Sequence, residues 1–270
     1  MADRVLVSRR GPVGVLTLNR PAERNPLDRE MAAELLAGLY ALFEDAGTRS
    51  LAITGSGTAF CAGGDLAQMA TISKMRVEDA YAWPEYIVSL HKTMLSAPKP
   101  VIAAVNGPSY AGGMGLAGMC DVILATSDAR FALPEASVGL FPMIIVAHLA
   151  RALPRKRLLE MMLTGEPMGA DEAHRLGFVS RVCAGPSALM NAVDEYGAKF
   201  LRTSPASVSM GRRAFTLLAD MPAAQALDAA QFLNLPFFYG DDFQEGAAAF
   251  LGKRLPRWAD HHADHQAAEE

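Results

Sequence analysis

The chain has 270 residues, 51% of them hydrophobic, and a formal net charge of −4 with acids and bases interspersed. That length suits one large domain, or a core with a smaller second unit. The mild acidity gives no reason to expect nucleic acid or an anionic membrane as partner, and no apolar run approaches the ~20 residues of a membrane span.

Val5-Leu6-Val7 and Val13 to Leu18 flank Arg10-Gly11-Pro12, which predicts a hairpin. Asn25-Pro26-Leu27-Asp28 predicts a helix start, with Asn25 as the cap, proline in the first turn and an acid behind it. Leu27, Met31, Leu35, Leu39 and Leu42 then recur at helical spacing, up to about Ala46. Leu51-Ala52-Ile53-Thr54 is a strand. Residues 66–97 read as helical, studded with Met69, Met75, Tyr81, Trp83 and Tyr86, and are broken by Ala97-Pro98-Lys99-Pro100.

Val101 to Val105 is a buried strand, followed by a glycine-rich loop and a short helix through Ala117. Val122 to Ala125 and Arg130 to Leu133 read as short strands, and Pro142 to Arg151, Pro154 to Leu163 and Asp171 to Leu176 as helices. Gly177 to Val182 is a last strand. The segments 187–201, 205–219, 222–235 and 241–251 read as helical. The strands therefore stop near residue 182, and a boundary falls between 183 and 200, dividing a 1–190 α/β core from a 191–270 helical region. The histidine-bearing end, Asp260 to Gln266, reads as a frayed polar tail rather than a metal site. Cys61, Cys120 and Cys183 are odd in number and lack metal-type spacing, so they read as reduced thiols; with no charged-then-apolar leader, the expected location is the cytoplasm.

Two glycine-rich loops carry the chemical signal. Ala59-Phe60-Cys61-Ala62-Gly63-Gly64-Asp65-Leu66 follows the strand at Leu51, and Asn106-Gly107-Pro108-Ser109-Tyr110-Ala111-Gly112-Gly113 follows the strand at Val101. A strand that turns through glycines into a helix leaves backbone N–H groups free beside the positive end of a helix dipole. Two such turns brought together can hold one anionic oxygen, and Gly64 and Gly112 are the expected donors. Asp65 reads as the cap of the helix that follows.

These loops, with Lys99-Pro100 before the second strand, Met119-Cys120-Asp121, Leu133-Pro134-Glu135, Leu163-Thr164-Gly165-Glu166, Gly177-Phe178-Val179 and Asp242-Phe243-Gln244-Glu245-Gly246, resemble the enoyl-CoA hydratase/isomerase (crotonase) family over roughly residues 5–258. The resemblance implies an α/β fold with a core of repeated ββα units and a helical C-terminal region used for trimerisation, with trimers pairing into hexamers. It implies an acyl-CoA thioester as substrate, its carbonyl oxygen between the N–H groups of Gly64 and Gly112 while an enolate forms. The CoA portion is expected along Ala22, Arg24, Ala62, Gly63, Gly64, Asp65 and Leu66, with Gly113 and Pro134 nearby and Arg24 placed to meet phosphates. No metal and no separate cofactor are implied, because coenzyme A is part of the substrate.

The chain departs from the family in its carboxylates. Hydratases of the family use two glutamates; the second matches Glu135, but the position of the first holds Gly115. Glu135 is therefore the expected acid/base, acting alone, which suits Δ3-Δ2-enoyl isomerisation or a one-glutamate variant of hydration. A CoA-binding protein that has lost its chemistry is the alternative. A second departure, Met143-Ile144-Ile145-Val146 after Phe141-Pro142, predicts a more apolar pocket wall where many relatives are glycine-rich. A third reading takes Gly107-Pro108-Ser109-Tyr110-Ala111 as a degenerate nucleophile elbow of a serine hydrolase, with His148 or His174 and Asp128 or Asp171 as partners.

Overall fold

The computed structural model describes residues 3–260, so the histidines of the polar tail lie outside the described residues. The hairpin forms as expected, from β1 (Val5–Arg10) and β2 (Val13–Leu18), turning at Gly11 with φ +52°. β3 (Ser50–Gly55), β4 (Val101–Val105), β6 (Val122–Thr126) and β9 (Arg181–Cys183) extend it into a sheet of order β1-β2-β3-β4-β6-β9, parallel from β2 onward. β3 and β4 are buried along their whole length, so their sequences read as unbroken apolar runs, as strands covered on both faces do.

The two-residue period of a strand divides the core. Leu51, Ile53, Val101, Ala103 and Val105 face the layer containing α1 (Arg29–Glu44). Ala52, Ile102, Ala104 and Leu124 face Leu189, Ala192 and Val193 of α9 (Pro186–Leu201). This one helix runs through residues 190 and 191 with its apolar face on the sheet. Beyond it come α10 (Pro205–Ala219), α11 (Ala223–Leu233), α12 (Leu235–Tyr239), α13 (Asp241–Leu251) and α14 (Arg257–Asp260), with no strand among the described residues after Cys183.

Helix α1 starts three residues later than Asn25-Pro26 predicts, with Asp28 as its cap accepting a bond from Met31 N at 2.8 Å. Asn25 has a different task. It sits at φ +55°, fully buried, and its amide donates to Ser56 O at 3.0 Å and Ala59 O at 2.9 Å while accepting from Arg20 N at 2.8 Å. The same stretch is tied again by Leu27 N to Gly63 O at 2.7 Å and Ala62 N to Arg24 O at 2.9 Å. Asp28 also pairs with Arg4 and Arg20, which closes the base of α1 against the hairpin.

The segment 66–97 is not one helix. It is α2 (Leu66–Met69), a 3-10 turn (Ile72–Lys74), α3 (Val77–Ala82) and α4 (Glu85–Leu95). Met75 and Arg76 are extended, and Pro84, which lacks the N–H to continue a helix, separates α3 from α4.

A second sheet, unforeseen except for its middle strand, joins β5 (Ser109–Tyr110), β7 (Arg130–Ala132) and β8 (Met168–Gly169). Pairs of two residues leave no period to read. Around it lie α5 (Gly112–Gly118), α6 (Met143–Ala152), α7 (Arg155–Thr164) and α8 (Ala170–Arg175). The last predicted strand shifts to Arg181, because Phe178 and Val179 turn into the core, Phe178 edge-on to Phe131 with ring centres 5.4 Å apart.

Asn25→Ala should lower unfolding stability by about 3 kcal/mol, since it strands several buried polar groups. Asn25→Gly keeps the left-handed backbone but not the bonds, so in urea denaturation it should also fall well below wild type. Wild-type stability in the glycine variant would mean that φ alone explains the asparagine.

Candidate active site

Both glycine loops leave the carboxyl ends of parallel strands, where ligands of open α/β sheets bind. They are joined backbone to backbone. Phe60 N and Cys61 N both donate to Pro108 O, at 3.0 and 3.2 Å, and Tyr110 N donates to Cys61 O at 2.9 Å. This approach leaves no room for side chains. A Cβ on Gly113 would lie 2.2 Å from Cys61 O, and one on Gly63, which also has φ +96°, would lie 2.6 Å from Ala111 Cβ.

The junction brings two N–H groups together. Gly64 precedes Asp65, whose carboxylate caps α2 through Ala67 N and Gln68 N at 2.9 and 3.2 Å. Gly112 opens α5 after Ala111, held at φ +49°, ψ −124°. A Cβ on Gly112 would lie 3.8 Å from Gly64 N, so the loops meet at these residues. Among the described residues, neither N–H donates to another protein group.

The small sheet brings in Glu135. Tyr110 lies opposite Ala132, and Ala111 N donates to Ala132 O at 2.9 Å, so the chain beyond β7 continues alongside the second loop. It enters a 3-10 turn, Pro134–Val138, that carries Glu135. Its Oε2 is buried and has no hydrogen-bond partner. Desolvation raises the Glu135 pKa above the ordinary carboxylate value, opposed in part by its own backbone N–H.

These groups share a cleft of about 410 Å³. Of the residues expected to bind substrate, Ala62, Gly64, Leu66, Gly112, Pro134 and Glu135 line it. Gly63 and Gly113 lie in the loop junction, Asp65 caps α2, and Ala22 and Arg24 occupy the adjoining turn, held to the first loop through the Arg24 carbonyl. Met143, Ile144 and Ile145 do form a wall of the cleft, whereas Val146 packs against the core. The broken segment also lines the cleft, with Met69, Ile72, Trp83, Tyr86 and Ile87, whereas Met75 and Tyr81 do not; which of its methionines and aromatics converge was not visible in the sequence.

Gly115 is buried against the wall that carries Ile145, and a Cβ there would lie only 2.3 Å from Ile145 Cγ2. Ile145 thus occupies the space a side chain at 115 would use. Glu135 is the one carboxylate among the described residues lining the cleft. Behind Gly115, His148 Nε2 bonds its carbonyl at 2.9 Å, and the His148 ring meets that of His91 with centres 5.0 Å apart. Burial, with His148 beside it, pushes His91 down to about 4.

The serine-hydrolase reading fails on geometry. Ser109 is fully buried and its Oγ has no partner, while His148 and His174 bond the carbonyls of Gly115 and Val179. A larger hollow, about 670 Å³, lies where β3 and β4 begin and contains neither loop. Its cations are engaged, Lys99 by Leu42 O and Asp45 O, both at 2.8 Å, and Arg49 by Trp258 O and Thr203 O at 3.0 and 2.9 Å. Among the described residues no three His, Cys, Asp or Glu side chains converge as a metal site requires.

An α/β core with paired glycine loops at the strand ends and a helical C-terminal region is the architecture of the crotonase fold, and the chain belongs to the enoyl-CoA hydratase/isomerase family, whose model matches residues 8–261. A crystal structure of an enoyl-CoA hydratase from Mycobacterium smegmatis superposes with a TM-score of 0.87 at 35% identity, covering 94% of this chain and 98% of that one. The 2,3-dehydroadipyl-CoA hydratase of Escherichia coli is 33% identical over 253 residues, 93% of this chain and 97% of the relative. The mitochondrial enoyl-CoA hydratase of Pongo abelii is 32% identical over 260 residues, 95% and 88% of the two chains.

The raised Glu135 pKa has a consequence for stability. A carboxyl that holds its proton more tightly when folded contributes stability below its unfolded pKa, and loses it as pH rises through the folded value. Glu135→Gln should therefore melt above wild type at pH 7, with the margin closing as pH falls toward 4. A margin independent of pH in thermal melts would show that Glu135 ionises without cost in the cleft.

Proposed function

We propose that the chain is an acyl-CoA enzyme that forms a thioester enolate with a single carboxylate, and that its reaction is Δ3-Δ2-enoyl-CoA isomerisation. The observation that carries the reading is the lone unpaired Glu135 oxygen in the cleft that also holds Gly64 and Gly112. The thioester oxygen sits between the two N–H groups, each contributing roughly 3–4 kcal/mol as charge develops. Glu135 takes a proton from C2, the electron pair moves onto the oxygen, and the C3–C4 double bond becomes C2–C3 as the proton is returned to C4. One carboxylate with a raised pKa suits both halves, because it must accept and then release the same proton.

Hydration across C2–C3 works best with two groups gripping one water; Ile145 fills the space a side chain at Gly115 would use, and Glu135 is the one carboxylate among the described residues lining the cleft. The relatives described above are hydratases, which makes hydration, here with one glutamate, the second reading. The CoA arm is assigned to the turn at Ala22 and Arg24 and the loop from Ala62 to Leu66, with Gly113 and Pro134 beneath the thioester. The reaction needs no metal and no cofactor beyond the CoA carried by the substrate.

The assembly is proposed as a homotrimer or a pair of trimers built on the C-terminal helices, which leave Phe215, Leu227 and Phe232 each at least 73% exposed in the single chain. The proposed location is the cytoplasm, in keeping with three free cysteines, of which Cys61 is pushed up to about 12 by burial.

The test compares 3-enoyl-CoA and 2-enoyl-CoA side by side. Wild type should shift the double bond faster than it adds water, and Glu135→Gln should lose about 10²–10⁴-fold in rate with acyl-CoA affinity retained. Full activity in Glu135→Gln would remove Glu135 as the base. Gly115→Glu alone should gain no hydration, because its side chain runs into Ile145; Gly115→Glu with Ile145→Gly should be the variant in which hydration rises.

A further inference from the structure

The walls of the cleft bear on which acyl group it takes, granted the acyl-CoA reading above. With the thioester oxygen at Gly64 and Gly112 and the CoA arm leaving along the first loop, the rest of the cleft runs between two walls. Met69, Ile72 and Trp83 line it from the broken segment, and Phe141, Met143 and Ile145 from the start of α6 and the turn before it. All six are aliphatic, thioether or aromatic.

Among the described residues, no lysine, arginine or histidine lines the cleft. The Ser137 hydroxyl donates to Pro134 O at 2.7 Å. Arg29 is not part of the lining; its guanidinium lies over the Tyr86 ring at 5.3 Å and donates to Trp83 O at 3.1 Å. Tyr86 and Glu135 are the ionisable side chains along the lining, and burial pushes Tyr86 up to about 12, so it stays neutral. A chain ending in a carboxylate would bury that charge with no cation to meet it, in the same cleft as the Glu135 carboxylate.

We infer that the cleft selects acyl-CoA thioesters whose chain ends in uncharged hydrocarbon and rejects those of the same length ending in a carboxylate, with Met143 and Ile145 as specificity-determining residues. Their positions give the selectivity a length dependence. Ile145 is 4% exposed, deep in the cleft, whereas Met143 is 68% exposed at its mouth. A short ω-carboxylate is trapped between the apolar walls; one on a chain long enough to pass Met143 returns to water and escapes discrimination.

The test is calorimetric titration of the full chain with saturated thioesters, which have no double bond to shift. Hexanoyl-CoA should bind at least about tenfold more tightly than adipoyl-CoA, and dodecanoyl-CoA and dodecanedioyl-CoA should differ by less. Met143→Arg, a change at an exposed side chain, should tighten adipoyl-CoA and narrow the six-carbon gap with the melting temperature unchanged. Equal affinities for the six-carbon pair overturn the inference, as does hexanoyl-CoA binding no tighter than CoA itself, or a gap that Met143→Arg leaves untouched. These affinities involve no proton transfer, so loss of Glu135 as base leaves them standing. If CoA and all four thioesters fail to bind, the acyl-CoA reading falls and this selectivity with it.

Discussion

The backbone contact between the two glycine loops is the constraint on which the rest depends. Pro108 O receives two N–H groups from the first loop, and Cys61 O receives one from the second, so the strand ends of β3 and β4 are locked together just where both chains turn into helices. Side chains at Gly63 or Gly113 would overlap the other loop, with a Cβ 2.6 Å from Ala111 Cβ or 2.2 Å from Cys61 O. With the loops in contact, Gly64 and Gly112 meet, a Cβ on Gly112 lying 3.8 Å from Gly64 N, and each leads into a helix. Neighbouring elements then serve this junction. Asn25 and Leu27 brace the first loop from below, and β7 braces the second from the side while delivering Glu135.

A carboxylate oxygen buried without a hydrogen bond is costly, and Glu135 Oε2 is one. Here the cost follows from the architecture. The cleft lining around it is largely apolar or glycine, and among the described residues the N–H groups of Gly64 and Gly112 donate to no protein acceptor. The protein therefore keeps donors without an acceptor and an acceptor without a donor in one cleft. On the proposed reading, a ligand with an oxygen that becomes anionic beside an acidic C–H would satisfy both at once, favouring an enolate over its parent thioester.

Much of this was legible in sequence, for a physical reason. β3 and β4 are buried on both faces, so their apolar runs are unambiguous, and the loops that follow announce themselves by composition. The parts that were not legible depend on contacts far apart in the chain. Asn25 looks like a helix cap until its amide is seen bonded to Ser56 and Ala59. Residues 66–97 carry helical composition throughout, yet the chain breaks at Met75 and Pro84 to bend over the cleft. β5 and β8 are two residues long and exist only because β7 lies between them.

The relation between Gly115 and Ile145 shows what the sequence could state only as two separate departures. Read alone, Gly115 is a lost acid and Met143-Ile144-Ile145-Val146 a more greasy helix. In the fold they are one feature, because the Ile145 side chain lies against the Cα of Gly115. Neither residue can change alone: a side chain at 115 needs a smaller residue at 145, and a smaller residue at 145 beside glycine leaves a cavity, costing about 24 cal/mol per Å³. The pair makes the absence of a second carboxylate a packed, stable state of this core rather than an empty place awaiting one. The same isoleucine also lines the cleft, so on the proposed reading one side chain bears on both reaction type and acyl selectivity.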